Sequence, residues 1–448
     1  MNFTVKIVAT AVLGELVGDE ETRVTGAEFD SRKITQGNLF VPLQGTNDGH
    51  DFVDKAIENG ASAVLWSKDA SLAPSEIAVI LVEDVLKAFQ SLASYYLLEE
   101  NPDVIGITGS NGKTTTKDMT AAVLSQKYQT YKTQGNYNNN IGLPYTILHM
   151  PEGTEKLILE MGMDHAGEID ILSELAQPDV AAITMIGEAH IENLGSREAI
   201  AEAKLEIVHG LIDDGLLVIP AEDALLSTRV ENFVQKVETF GIGAGDLSAN
   251  IVEETKNHTV FEVDQATYQI PMPGSYNVKN ALIALAIGRW YGLAAEEISR
   301  GLALVEITQN RTQWLKATNG ADILSDVYNA NPTAMGLVLD TFSKLPTNGR
   351  RIAVLADMLE LGPDTNQLHA EMANHINEAY QVLYLYGAEM IYLKNRLAQT
   401  QPSLTVHYFT KEQKAEMIAQ ILQDLQPEDS IVLKGSNGMG LLEVITAL

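Results

Sequence analysis

Short apolar runs alternate with stretches of helical period from about residue 101 to the end of the chain. The runs are Val104–Thr108, Lys156–Met161, Val180–Ile186 and Leu216–Pro220, then Ile323–Asp326, Arg351–Ala356, Val382–Tyr386, Val406–Phe409 and Ser430–Leu433. Apolar runs of strand length separated by helical patterns predict mostly parallel sheets with helices packed on them. Helices are predicted from about Lys117 to Leu124, from Ser196 to about Ile212, and through Leu282–Ile287, which is apolar enough to be buried. Ser196 is placed to cap its helix, with Glu198 in the first turn. The last of the three is entered through Gly274-Ser275-Tyr276-Asn277-Val278-Lys279-Asn280-Ala281.

Before residue 101 the pattern is shorter and more broken. Gly37 to Leu43 reads as a turn feeding a strand, Val53 to Asn59 as a short helix, and Ala61 to Trp66 as a second strand. At 448 residues and roughly 150 residues per domain, three α/β domains are expected, at 1–100, 101–310 and 311–448. The segment Glu306 to Arg311 is the natural hinge into the last of them. That domain reads as a Rossmann-like three-layer fold, but no G-x-G-x-x-G follows its first strand, so a dinucleotide site is not expected. The chain carries no internal repeat and no low-complexity segment.

Composition narrows the function classes. Lys and Arg number 30 against 60 Asp and Glu, a formal charge of −30. That field opposes broad contact with nucleic acid or membrane surface, both polyanionic. With no cysteine, disulfides, thiolate metal sites and cysteine nucleophiles are excluded. The start, Met1-Asn2-Phe3-Thr4-Val5-Lys6, lacks the basic and apolar regions of a secretion signal, and no run is long enough to span a membrane. A soluble cytoplasmic protein is expected.

The strongest chemical signal is Gly106-Ile107-Thr108-Gly109-Ser110-Asn111-Gly112-Lys113-Thr114-Thr115-Thr116, set between a strand and a helix start. Glycines let backbone N–H groups approach phosphate oxygens, and the helix N-terminus adds partial positive charge. Lys113 would reach the terminal phosphates and the Thr114 hydroxyl would bind Mg²⁺. The spacing departs from G-x-x-x-x-G-K-[ST], because Ile107 stands where the first Gly belongs. An ATP site is expected in a P-loop-type domain, against the alternative of an ordinary Gly-rich turn.

Ligands of open α/β sheets bind beyond the carboxyl ends of the strands. Glu160 ends one such strand, with Asp164 and His165 just beyond it, and His190 follows another in Gly187-Glu188-Ala189-His190. Glu160 and His190 could complete a Mg²⁺ shell beside Thr114; taken singly, one reads as a surface carboxylate and the other as a loop histidine. The amide-rich Gly135–Pro144 segment, with Asn136, Asn138, Asn139 and Asn140, suits either an oxygen-rich ligand or a self-bonded turn. In the first domain, Asp30-Ser31-Arg32 and the Gly45–Phe52 loop with Gly49 and His50 form a plausible cup for a nucleotide or sugar diphosphate, though surface turns look alike. Lys204, in Ala203-Lys204-Leu205-Glu206, reads by pattern alone as a solvated helical lysine. Polar clusters end three C-terminal strands: Asp326-Val327-Tyr328-Asn329-Ala330-Asn331-Pro332, Asp357–Gly362 and Lys434–Gly438.

Taken in order along essentially the whole chain, these motifs resemble the Mur ligase family. Thr108 to Thr115 looks like the family's ATP loop, Asn136 to Pro144 like its Asn-rich substrate loop, and Glu160-Met161-Gly162 with Gly187 to His190 like its two metal-site motifs. Ala203 to Ile207 matches the segment whose lysine carries CO₂ as a carbamate, which reverses the reading of Lys204. Asp326 to Pro332 resembles the signature of the members that add D-alanyl-D-alanine to UDP-N-acetylmuramoyl-tripeptide, and the Asp-Asn-Pro-Arg motif of a sibling ligase is absent.

The resemblance implies an ATP-dependent amide ligase working through an acyl phosphate, with small-molecule substrates, in a monomer. It assigns the first domain to UDP binding through Ser31, Arg32, Gly49 and His50. Gly109 to Thr115, Asn280, Arg311 and Asp326 are assigned to ATP, and Thr114, Glu160, His190 and carbamylated Lys204 to Mg²⁺. Lys113, Lys204 and His190 are the expected catalytic residues; Asn136, Asn138, Asn139, Tyr328, Asn329 and Asn331 are expected to contact substrate. Three positions depart from the family pattern: Tyr276 for His, Ala356 for Gly and Asn437 for Arg. The alternatives are a sibling or folylpolyglutamate-type ligase and, outside ligases, an ATP-driven switch.

Overall fold

The computed structural model describes every residue except Asn232, Ile307 and Asn310. The expected Glu306–Arg311 hinge includes two of these and in that part lies outside the described residues.

Strands buried on both faces split their side chains alternately between two cores. In the central region, Val104, Leu157, Leu159, Ala181 and Leu217 enter one apolar cluster. Their neighbours Ile105, Ile107, Ile158, Ala182 and Val218 enter the other, with the helix Ser275–Trp290. The four expected strands sit side by side in a nine-stranded sheet, in the order Leu216–Pro220, Val180–Ile183, Asp103–Thr108 and Lys156–Glu160. All three of these contacts are parallel. Thr130–Lys132 closes one edge, and Lys236–Ile242, Leu247–Glu254, Thr259–Val263 and Ala266–Ile270 extend the other, ending in antiparallel pairs.

The C-terminal region repeats the principle. Ile352, Val354 and Ile431 face one cluster and Ala353, Leu355 and Val432 the opposite one. Its six-stranded sheet runs Gln313–Lys316, Asp322–Asp326, Ser430–Lys434, Arg351–Ala356, Val382–Tyr386 and Thr405–Phe409. The expected five strands are parallel, and Gln313–Lys316 adds an antiparallel edge. In the first region a five-stranded sheet orders Glu15–Val17, Ala78–Leu81, Ala63–Trp66, Leu39–Phe40 and Ala27–Glu28. The helix Val85–Glu100 leads out of it, capped by Asp84 and ended by Asn101 in the left-handed conformation.

Boundaries differ from expectation at several elements, and three of these bear on the site. The helix after the phosphate loop starts at Lys113, four residues before the apolar period begins, because Gly112 at φ 85° turns the chain into it. The strand from Val180 ends at Ile183 rather than Ile186. The helix after Ser196 runs from Arg197 to Leu205, not to Ile212, and tightens into a 3₁₀ turn at Glu206–Val208. There the Glu206 carboxylate is drawn off to accept the N–H groups of Gly167 and Asp170. Among the described residues, no helix is long and apolar enough to cross a membrane.

Candidate active site

The register of the central sheet brings the phosphate loop and the expected metal-site carboxylate to the same sheet edge, with Glu160 beside Ile107. Gly109 sits at φ 143°, and a Cβ there would lie 1.8 Å from Thr184 Oγ1, so a side chain is excluded. Gly112 fits its own turn for the same reason, with Asn280 Oδ1 2.5 Å from where a Cβ would be. Lys113 folds back over the loop and donates to the Gly109 carbonyl at 2.9 Å. Burial pulls its pKa down, while Glu160 opposes that shift. Ser110 Oγ accepts the Gly187 N–H at 2.9 Å and ties the loop to the segment carrying His190.

Glu160 is buried, and both its oxygens are engaged: Thr114 Oγ1 donates to one at 2.9 Å and Asn138 Nδ2 to the other at 2.9 Å. The Asn-rich segment therefore serves two ends. Asn138 turns inward onto the carboxylate, whereas Asn139 bonds the Ile141 and Gly142 N–H groups of its own turn. Asn136 is exposed. Among the described residues, no group of three His, Asp or Glu is arranged so that it could hold a metal ion by itself. A divalent ion fits here in the manner usual for Mg²⁺, on one hydroxyl and one carboxylate completed by phosphate oxygens and water.

Lys204 is 2 % exposed, among the largest fully buried side chains. Burial, and then the charge of Lys113, hold its pKa well below the usual lysine range. Carbamate formation needs a neutral amine as nucleophile, and burial shifts Lys204 towards that form, so the residue fits CO₂. His190 adopts the left-handed conformation at φ 61°. Its Nδ1 lies 2.8 Å from Glu360 Oε2 and 3.2 Å from Asp164 Oδ1, so a C-terminal carboxylate reaches the expected metal histidine.

A cavity of about 440 Å³ opens between the phosphate loop and the C-terminal region. Its lining includes the expected residues Asn111, Gly112, Thr115, Asn280, Arg311, Asp326, Tyr328 and Asn329. The Arg311 guanidinium stacks on the Tyr328 ring at 4.1 Å. Asp326 pairs with buried Lys434 at 2.7 Å, and the same ammonium donates to the Asn329 carbonyl at 2.9 Å. Asn331 and Asn111 exchange amide hydrogen bonds at 2.8 and 3.2 Å. Tyr276, at the position that departs from the family pattern, lines the cavity with its phenol 3.2 Å from Thr312 Oγ1. Burial raises its pKa.

The first-domain residues lie away from this cavity. His50 is buried edge-on to Trp66, with Nδ1 2.7 Å from Asp48 and Nε2 accepting the Ser67 N–H at 3.3 Å. Arg32 is exposed and forks onto Asp30, and the buried Ser31 offers its carbonyl to Asn59. Gly49 packs against Pro42 so tightly that a Cβ would fall 2.5 Å from its carbonyl carbon. This domain meets the helix Gly142–Leu148, which follows the Asn-rich turn, through Glu28, which accepts from Tyr145 Oη at 3.0 Å.

Several cavity residues carry no strong local signal. Arg197 and Thr333 sit at helix starts, where their side chains read as solvated. Asn277 and Lys279 belong to the Gly274–Ala281 segment, whose Asn-rich helix start is a usable clue.

A phosphate loop over a parallel sheet, with a C-terminal three-layer domain closing on it, defines a three-domain nucleotide-dependent ligase architecture. Family comparisons agree region by region. The Mur ligase family catalytic domain matches residues 23–97, the Mur ligase middle domain 107–288, and the Mur ligase glutamate ligase domain 310–437. The chain belongs to the Mur ligase family.

Within the family it is similar to UDP-N-acetylmuramoyl-tripeptide--D-alanyl-D-alanine ligase of Bacillus subtilis, at 41% identity over 99% of this chain and 98% of that one. A crystal structure of MurF from Acinetobacter baumannii superposes with a TM-score of 0.91 at 27% identity, covering 100% of this chain and 98% of the other. MurF ligase from Thermotoga maritima, solved in complex with ADP, gives a TM-score of 0.83 at 27% identity over 95% and 97% of the two chains.

Proposed function

We propose that this chain joins D-alanyl-D-alanine to UDP-N-acetylmuramoyl-tripeptide at the expense of ATP, giving the UDP-MurNAc-pentapeptide precursor of peptidoglycan, ADP and phosphate. The observation that carries the reading is the phosphate loop facing a cavity shared by two domains, in a chain related end to end to ligases of that name. A carboxylate oxygen of the tripeptide attacks the γ-phosphorus and ADP leaves. The amine of D-alanyl-D-alanine then attacks the acyl carbon, loses a proton, and phosphate departs.

Phosphoryl transfer asks chiefly for positioning and charge neutralisation. Lys113 and the N–H groups of Gly109 to Thr115 hold phosphate oxygens, and Asn280, Arg311 and Asp326 line the rest of the nucleotide's cavity. Thr114 and Glu160 would hold one Mg²⁺, and His190 with a Lys204 carbamate would hold a second. The metal supplies charge neutralisation between the two anions that must meet. Ser31, Arg32 and the Gly49-His50 turn hold the uridine diphosphate end, His50 by fixing the loop and not by its ring. Asn136, Asn138, Asn139, Tyr328, Asn329 and Asn331 surround the peptide and its acceptor. The working boundaries are 1–100, 101–310 and 311–448, and the enzyme acts as a cytoplasmic monomer.

The test is a mixture of UDP-MurNAc-tripeptide, D-alanyl-D-alanine, ATP and Mg²⁺. Pentapeptide product with acceptor-dependent ADP release is expected. ADP release indifferent to the amine would make the chain an ATP-driven switch.

A further inference from the structure

The helix Pro332–Lys344 begins at the cavity wall, and its first turn is capped by two domains at once. Its own Asn331 accepts the Ala334 N–H at 2.9 Å. The next donor is satisfied from the central domain: Glu188 Oε2 accepts the Thr333 N–H at 3.0 Å and the Thr333 hydroxyl at 2.7 Å. The other Glu188 oxygen lies 3.6 Å from Arg197 Nη1, and Arg197 in turn donates to the Ile186 carbonyl at 2.8 Å and lines the cavity. Glu188 is 8 % exposed and Asn331 3 %.

The first N–H groups of a helix have no partner within it, and a carboxylate there gains from both the open donors and the helix dipole. Hydrogen bonds to a charged acceptor are also the strong ones. Here that acceptor belongs to a different domain, so the gain is realised when the domains meet. The contact also fixes a register: with Thr333 held by Glu188, Asn331 two residues earlier pairs with Asn111 of the phosphate loop.

We propose that Glu188 is a positioning residue for the ligase reaction, an interdomain cap that docks the start of the Pro332–Lys344 helix and so sets Asn331 against the phosphate-loop residue Asn111. The proposal rests on the ligase reading above. Glu188 touches no reacting atom. Its effect passes through the C-terminal wall of the nucleotide cavity, so it acts on ATP and leaves the uridine diphosphate end, held on the first domain, alone.

The experiment uses the full chain and the variants Glu188→Ala, Glu188→Gln, Thr333→Val and the Glu188→Ala/Thr333→Val pair. Acceptor-dependent ADP release is measured with ATP and then the UDP-linked tripeptide varied, and amide exchange is followed at the start of the Pro332–Lys344 helix. Two hydrogen bonds to a charged group are lost in Glu188→Ala, so kcat/KM for ATP should fall about tenfold or more. The KM for the UDP-linked substrate should hold, and exchange at Thr333 should quicken. Glu188→Gln keeps a carbonyl acceptor and should stay within about threefold of wild type. The double variant should add little to Glu188→Ala, since both changes break one contact.

Wild-type kcat/KM for ATP in Glu188→Ala, a fall in kcat with both KM values unchanged, or multiplicative effects in the double variant would each overturn the proposal. If Glu188→Ala does not fold, Thr333→Val decides it: a several-fold fall in kcat/KM for ATP with the KM for the UDP-linked substrate held is expected, and wild-type kcat/KM for ATP would overturn the proposal. A wild-type chain that makes no pentapeptide removes the ligase reading instead, and the exchange comparison then still decides whether Glu188 caps the helix.

Discussion

Lys204→Met should make the protein more stable and much less active. Methionine keeps the apolar stem and fills similar space, so the change removes mainly the amine. The residue as a whole is 2 % exposed, and burial disfavours the charged form of its amine. Relieving the desolvation of a buried polar group is worth about 1–3 kcal/mol. At about 2–4 °C per kcal/mol for a domain of this size, the unfolding midpoint should rise by a few degrees in CO₂-depleted buffer.

The gain has a pH signature. The folded-state pKa of Lys204 is lowered below 10.5 by burial and by the neighbouring Lys113. Between the lowered value and 10.5 the unfolded chain binds the extra proton, so wild-type stability rises with pH across that window. The advantage of Lys204→Met should therefore shrink as pH approaches about 10. Differential scanning calorimetry across pH, with and without bicarbonate, reads both effects, and bicarbonate should move the wild type alone. A midpoint lowered by the substitution would mean that the amine has a compensating partner. Full activity in Lys204→Met would refute the carbamate role.

Lys113→Ala should abolish ADP release while leaving the fold intact, as judged by circular dichroism; turnover near wild type would remove the phosphate-loop assignment. Lys434→Met strands the carboxylate of Asp326 within a largely buried pair, at a cost of about 3–5 kcal/mol. It should lower both the chemical denaturation midpoint and ATP affinity by titration calorimetry, and Asp326→Asn combined with it should recover part of the stability. An unchanged midpoint in Lys434→Met would show the pair to be solvated.

Strands buried on both faces are legible because their apolar runs are continuous, as at Leu157–Leu159 and Leu383–Leu385. Lys236–Ile242 escaped because its first four positions are exposed or half-buried, leaving no run to see. Thr130–Lys132 is too short and nowhere fully buried. In the site, Gly109 and Gly112 announce themselves, since a turn of positive φ packed against Thr184 and Asn280 admits no other residue. Glu188 announces nothing: its partner Thr333 lies 145 residues away, and no local pattern marks a carboxylate whose helix belongs to another domain. His50 misleads in the opposite sense, because a polar loop histidine proves to be buried against Trp66 with both ring nitrogens engaged. Lys204 shows the limit of periodicity. Its helix has the ordinary mixture of charged and apolar positions, and only tertiary packing against neighbouring helices buries this lysine.

The central claim is that one cavity couples ATP cleavage to amide formation on a UDP-linked tripeptide. Its most direct measurement is simultaneous quantitation of ADP and UDP-MurNAc-pentapeptide with D-alanyl-D-alanine present and omitted. The account predicts one ADP per pentapeptide and little ADP without the amine. ADP formed at the same rate in its absence, or no pentapeptide in its presence, would contradict it.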